Sequence, residues 1–321
     1  MSLPMNRREF IIHSSLLASS GLFLRSRLGA QAPAAPAKPA FTASKSVRRG
    51  VGYFTGRGGT IGYLSSPSAL VVVDTQFPDT ALLCRDLLIG KTGRSIDVTL
   101  NTHHHLDHTA GNAVFKAASK LLVAQARVPK LQFEAAQRAE ASGKAQDAAM
   151  LDHQVYATTT FPDAWTLDLG DEIVSADFHG PAHTGGDAVV YFEKANVVHT
   201  GDLVFNRLYP VIDRPGGASI AGWIKALGDV AKAYPADAAY IFGHGKAAFG
   251  VTGTRADLER QKEFLTGLLD YTQKQIALGK PRSEIVALAN LPGFDDWHDP
   301  LPNRLGLNLG AAYDELTGKN A

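Results

Sequence analysis

Short apolar runs alternate with glycine- and proline-rich breaks through the first half of the chain. Val51–Phe54, Ile61–Leu64 and Ala69–Asp74 read as three strands punctuated this way. The third is apolar at successive positions, which predicts a central strand covered on both faces. Pro78 to Ile89 follows with a helical pattern that Gly90 can end. Ile96–Leu100 and Leu121–Ala124 are further buried strands, and Asn101 to Gly111 between them is a His-rich loop running into a helix. Pro129 suits the first turn of a helix, where its missing N–H is not needed. That Ala/Gln/Glu-rich region, about 126–160 and helical to about His153, reads as an insertion. Trp165–Leu169, Glu172–Phe178, Ala188–Phe192 and Val197–His199 form a run of strands. Ser219 can cap a helix whose apolar stripe is Ile220, Trp223, Ile224, Leu227 and Val230. Ala238–Phe242 is a strand, Leu258 to Ile276 marks a long helix stopped by Gly279 and Pro281, and Asn303 to Leu316 is helical. This order predicts an α/β (α+β) fold of two mixed sheets covered by helices, with no repeat and no domain break after residue 46.

The N-terminus departs from that pattern. Arg7-Arg8 precedes a moderately apolar stretch from Ile11 to Leu24, and Ala30-Gln31-Ala32 is a small-x-small cleavage pattern. The run is too short to span a bilayer, which needs roughly 20 apolar residues. Paired arginines ahead of it resemble a twin-arginine signal, and Arg25 and Arg27 after it fit that route. Residues 1–32 are therefore expected to be a signal and 33–45 a flexible linker, with folded structure from near Ser46. The expected partner is the twin-arginine export machinery. The expected location is periplasmic or secreted, with no stable membrane insertion after signal removal.

Charge adds an exclusion. Lys and Arg number 32 against 31 Asp and Glu, so a net charge of +1 gives no reason to expect nucleic acid or an anionic membrane as partner. A single cysteine, Cys84, rules out an internal disulfide; in Ala81-Leu82-Leu83-Cys84 it reads as a small buried hydrophobe.

The chemistry is concentrated in the histidines. Four of eleven fall in Asn101-Thr102-His103-His104-His105-Leu106-Asp107-His108, directly after a strand. His103 and His105 are two apart and point the same way in extended chain, while Asp107 and His108 can face a second centre. Imidazole with carboxylate suits zinc, with iron and manganese as alternatives. Further candidates stand beside glycines next to strands: His183 in Ala182-His183-Thr184-Gly185-Gly186-Asp187, Asp202 in Gly201-Asp202, and His244 in Gly243-His244-Gly245. His104 reads as a contact outside the ligand set. His199 reads as a hydrogen-bonded core residue, and His153, His179 and His298 as ordinary ones.

His-x-His-x-Asp-His, His-Thr-Gly-Gly-Asp, Gly-Asp and Gly-His-Gly, in this order over roughly residues 50–250, resemble the metallo-β-lactamase superfamily. The resemblance implies a four-layer αβ/βα sandwich with metals at one edge of two sheets. By it, His103, His105 and His183 hold the first zinc, Asp107, His108 and His244 the second, and Asp202 bridges them. Asp74 and Asp187 are implied as supports for the ligand loops, with His199 behind them. Aspartate at 202, where the β-lactamases proper have Cys or Ser, resembles the thioesterase, lactonase and phosphodiesterase branches.

The implied function is a dinuclear zinc hydrolase that uses a metal-bridging hydroxide on a small-molecule ester, thioester, lactone or amide, β-lactams included. Asp107 is its expected proton carrier. Alternatives are an iron-dependent persulfide dioxygenase, another oxidoreductase of this fold, or a non-catalytic metal-binding module. Pocket walls are expected from Tyr53–Gly59, from 126–160 and from Phe205–Pro210. Tyr209 or Asn206 either stabilises an oxyanion or packs, and Arg207 or Arg214 either holds a carboxylate or is solvated.

Overall fold

The computed structural model describes residues 43–143 and 154–318. The signal, most of the linker and the stretch to His153 lie outside the described residues. Leu70–Val73 shows how the sequence builds the layers. Leu70 and Val72 join Phe54, Ile61, Cys84 and Leu88 in one apolar cluster. Val71 and Val73 face the other way, into a second cluster with Val98, Leu100, Ala176, Val190 and Phe192. Side chains alternate across a strand, so a continuously apolar run means that both faces are covered. Each such side chain contributes on the order of 1.5–3 kcal/mol of burial. Val71→Asp would place a charge between two sheets and break the sandwich.

The first sheet has seven strands in chain order: β1 (Ala43–Arg48), β2 (Val51–Thr55), β3 (Ile61–Ser65), β4 (Leu70–Val73), β5 (Ile96–Asn101), β6 (Ser119–Gln125) and β7 (Thr159–Phe161). It is antiparallel up to β4 and parallel from β4 to β7. The second sheet contains β8 (Ala164–Asp168), β9 (Ile173–Phe178), β10 (Ala188–Phe192), β11 (Val197–His199), β13 (Ala239–Ile241) and β15 (Thr252–Gly253). Its order is β15-β13-β11-β10-β9-β8, and β11 and β13 are parallel. A two-stranded parallel pair, β12 (Phe205–Asn206) and β14 (His244–Gly245), stands apart from both sheets.

Eight helices are described: α1 (Pro78–Thr92), α2 (Leu106–Thr109), α3 (Asn112–Lys116), α4 (Val128–Ala141), α5 (Ile220–Ala233), α6 (Arg255–Ala277), α7 (Arg282–Ile285) and α8 (Arg304–Leu316). Cys84 and Leu88 of α1 cover the outside of the first sheet. Trp223 and Leu227 of α5, with Phe264, Leu265 and Leu268 of α6, cover the outside of the second through Val189, Val198 and Tyr240. Helix, sheet, sheet, helix is the four-layer arrangement the motifs imply. Among the described residues no helix is long and apolar enough to cross a membrane.

Three expectations shift. Strand β1 already covers Ala43–Arg48, ahead of the start expected near Ser46, because it is a polar edge strand held by backbone pairing to β2, which hydrophobic periodicity does not register. Helix α1 runs through Gly90 and ends at Gly93, whose φ of +64° only glycine adopts cheaply and whose N–H reaches Ile89 O. The helix expected as an insertion, α4, lies in the connection between the parallel strands β6 and β7. Capping by Ser219 is as expected: its side chain accepts from Gly222 N.

Parallel strands end together, so the loops after β4, β5, β11 and β13 open at one edge. They carry Asp74, His103 to His108, Asp202 and His244. Strand β10 runs antiparallel to β11, so its start, preceded by His183, faces the same edge.

Candidate metal centre

All seven expected ligands meet at that edge. Ligand atoms of His103, His105, His183 and Asp202 lie within 4.8 Å of one another, as do those of Asp107, His108 and His244. Asp202 joins the two sets. Its Oδ2 is 3.5 Å from His183 Nε2 and 3.3 Å from His244 Nε2, and its Oδ1 is 3.1 Å from His108 Nε2. Glycine is required twice around it. A Cβ on Gly243 would strike Asp202 Oδ1, and one on Gly59 would strike the His108 ring. His103, His108, His183 and Asp202 are at most 3% exposed, whereas the side chains of His105, Asp107 and His244 are 21%, 29% and 25% exposed. Those three therefore form the open side.

Partners behind the imidazoles decide which nitrogen faces inward. The Val211 carbonyl can only accept, so His183 Nδ1 donates to it (2.8 Å) and presents a lone pair on Nε2. Asp213 Oδ2 accepts from His105 Nε2 (3.0 Å), leaving the Nδ1 lone pair inward. These two lone pairs face each other across 3.1 Å, which is repulsive unless a cation or proton lies between them. Asp74 Oδ2 accepts from His108 Nδ1 (2.7 Å) and from Thr102 Oγ1 (2.7 Å). Its Oδ1 accepts from Thr102 N (2.8 Å). Having given its proton to Asp74, Thr102 Oγ1 accepts from His103 Nδ1 (3.0 Å). His103 Nε2 is then an inward lone pair, buried and without a hydrogen-bond partner, as is Asp202 Oδ1. Orphaned buried acceptors converging from both sheets fit divalent metal, and nitrogen with carboxylate oxygen fits zinc.

Without metal, protons take part of that role. Burial and then the neighbouring His108 push His103 well below the ordinary imidazole range. Burial and His105 bring His183 down to about 3. Burial opposes charge on His244 too, but Asp202 and Asp107 outweigh it and raise the group to about 10. Burial likewise opposes ionisation of Asp202, and His108 and His244 outweigh it, holding the carboxyl well below its usual range.

The supporting residues fall in place as follows. Asp74 is fully buried with φ +66°, a conformation costly for aspartate and held by its three hydrogen bonds. Asp187 accepts from Thr184 N (2.8 Å) and Thr184 Oγ1 (2.6 Å), which fixes the loop after His183. His199 donates from Nε2 to Thr60 O (3.1 Å) and accepts Gly201 N on Nδ1 (3.1 Å), so it shapes the turn before Asp202 and touches no ligand atom. His104 is buried with Nε2 3.2 Å from Asp213 Oδ2.

Asp213 is the participant that sequence reasoning missed. In Asp213-Arg214-Pro215-Gly216 it reads as a turn residue, and it does fill that role through Oδ1, which accepts Gly216 N (3.0 Å). The suggested substrate groups resolve toward packing. Tyr209 is buried between Phe264 and Trp297. Asn206 is buried and donates to Gly250 O. Arg207 pairs with Asp296 at 2.9 Å and Arg214 with Glu315 at 2.9 Å.

A family model described as the metallo-beta-lactamase superfamily matches residues 54–244, more than half of the chain. A hydroxyacylglutathione hydrolase from Brucella anthropi is 25% identical over 142 residues, which are 44% of this chain and 45% of that protein. The chain thus matches less than half the length of that relative. A metallo-beta-lactamase from Pontibacter korlensis superposes with a TM-score of 0.55 at 18% identity, over 70% of this chain and 99% of that one. Another from Hirschia baltica gives 0.55 at 17% identity, over 70% and 97%. At these identities the structural likeness is one of fold. With the matched stretch and the paired sheets in agreement, the chain belongs to the metallo-beta-lactamase superfamily.

Proposed function

We propose that the protein is a dinuclear zinc hydrolase of a small ester, thioester, lactone or amide. The observation that carries this reading is the Asp202 carboxylate, shared between one complete ligand set and a second. Zinc bound there would lower the pKa of its water toward ~7 and polarise an acyl or phosphoryl oxygen. Asp107, 29% exposed and 3.1 Å from His244 Nε2, stands on the open side where it can accept and return a proton. Asp202 neutralises charge between the two sets, and Phe205, stacked on His244 at 5.1 Å, keeps that imidazole in plane. The Brucella anthropi relative, a hydroxyacylglutathione hydrolase, favours hydrolysis as the reaction class.

A single-iron dioxygenase is the competing reading. The complete Asp107, His108 and His244 set disfavours it, because one metal would leave that set unused. Metal analysis of purified protein, with assays on chromogenic thioester, lactone and cephalosporin substrates, separates the two. Two zincs with turnover of one class is the expected result. One iron and no hydrolysis would overturn the reading. We further propose export through the twin-arginine route, on the strength of Arg7-Arg8 and the apolar run behind it.

A further inference from the structure

A groove of about 350 Å³ opens beside the centre, with His244 in its wall. We propose that it receives one arm of the substrate and that Lys45 selects an arm ending in a carboxylate. This inference rests on the hydrolase reading for its chemistry.

Continuity with the centre comes from His244 itself. The imidazole that borders the groove places Nε2 3.1 Å from Asp107 and 3.3 Å from Asp202. An arm lying along it keeps the reacting end of a substrate at the ligand cluster.

The walls are built rather than loose. On one side, Gly59 N donates to Asp107 O (3.0 Å) and Gln76 Nε2 to Gly59 O (2.5 Å). Thr80 Oγ1 reaches Arg57 O (3.2 Å), and Arg57 is clamped to Asp79 at 2.7 Å. On the other side, Gly250 N donates to Lys246 O (2.9 Å), and Asn206 Nδ2 to Gly250 O (3.1 Å). The space lies at the small end of ligand pockets, roughly 300–1,000 Å³, and glycines contribute much of its lining. A slender arm fits it better than a ring system.

Charge supplies the selectivity. No aspartate or glutamate lines the groove, and its formal cation is Lys45. Arg57, on the loop that forms one wall, is already paired with Asp79. Among the described residues no carboxylate lies within ion-pair distance of Lys45, so its ammonium is available to an incoming anion. The groove is open to solvent, so water screens the pair, and the expected selectivity is about fivefold.

The test uses zinc-loaded protein and two pairs of thioesters. One pair differs only in whether the thiol arm ends in carboxylate or methyl, and the other differs likewise in the acyl arm. One pair should show about a fivefold carboxylate preference, expressed in KM and falling with added salt. Lys45→Met should bring the ratio near unity, and Lys45→Glu to unity or below it. Lys45→Arg should keep it, and so should Lys274→Glu, a control for net charge on an exposed helix position. Absence of preference in both pairs, or a preference that survives Lys45→Glu, overturns the inference. If no thioester is hydrolysed, the thioester option alone falls, and the hydrolase reading fails only if lactone, ester and amide substrates are also left intact. Calorimetric binding of ω-mercaptocarboxylates against matching alkanethiols then decides the groove. Tighter carboxylate binding lost in Lys45→Glu supports it, and equal binding overturns it.

Discussion

Asp213 Oδ2 lies 3.0 Å from His105 Nε2, on the far side of the imidazole from the nitrogen that meets His183. The carboxylate thereby fixes which His105 atom is offered to the centre. Asp213→Ala should weaken metal binding to the His103, His105 and His183 set by ~10–100-fold and leave the Asp107, His108 and His244 set less affected. Asp213→Asn, which keeps one acceptor oxygen, should lose less. Competition with a chelator, resolved into two binding steps, measures both.

Asp74 acts on both sets, because it holds His108 directly and His103 through Thr102. Asp74→Asn should weaken both binding steps by ~10-fold or more, in contrast to the one-sided effect at Asp213. Asp74→Ala also strands buried donors and should cost about 3 kcal/mol or more in urea unfolding of the metal-free protein. An effect on one step only would argue against a shared support.

Asp187 makes stability depend on pH in the unusual direction. Burial pushes its carboxyl up to about 6, against hydrogen bonds from Thr184 that favour the ion. The folded state then holds a proton that the unfolded chain has released, so this group's contribution is lost as pH rises from the ordinary carboxyl range through about 6. The loss is on the order of 2–3 kcal/mol. Asp187→Asn stays neutral, so its stability relative to the parent should climb over that window and level off above it. Denaturant midpoints of the two proteins across the pH range test this, and a pH-independent difference would contradict it.

Export gives a prediction for the residues ahead of Ala43. Replacing Arg7 and Arg8 with lysine should strand the protein in the cytoplasm of a host with a twin-arginine system, read by fractionation. Equal export of both forms would remove the proposal.

Much of the fold was legible because burial on both faces leaves continuous apolar runs, as at Leu70–Val73, and one-sided burial leaves a helical stripe, as at Trp223 and Leu227. The strands that escaped notice, β1, β7, β12, β14 and β15, have two to six residues and are set by backbone pairing, which side-chain periodicity does not record. The clustered ligands were legible for a chemical reason: several imidazoles and carboxylates beside glycines at strand ends have few structural uses. Asp213 and the Val211 carbonyl were not, because a turn aspartate and a backbone oxygen carry no sign of which ring they will meet. Lys45 lay inside the stretch read as linker, so its place in the wall of the groove that His244 also borders depended on seeing β1 paired with β2.

In the function proposed above, seven side chains hold two zinc ions with Asp202 between them. Anomalous diffraction at the zinc edge from crystals of the purified protein tests it most directly. Two peaks about 3.5–4 Å apart are expected, one in each ligand set, with the Asp202 carboxylate touching both. A single peak, or a second peak away from Asp107, His108 and His244, would contradict it.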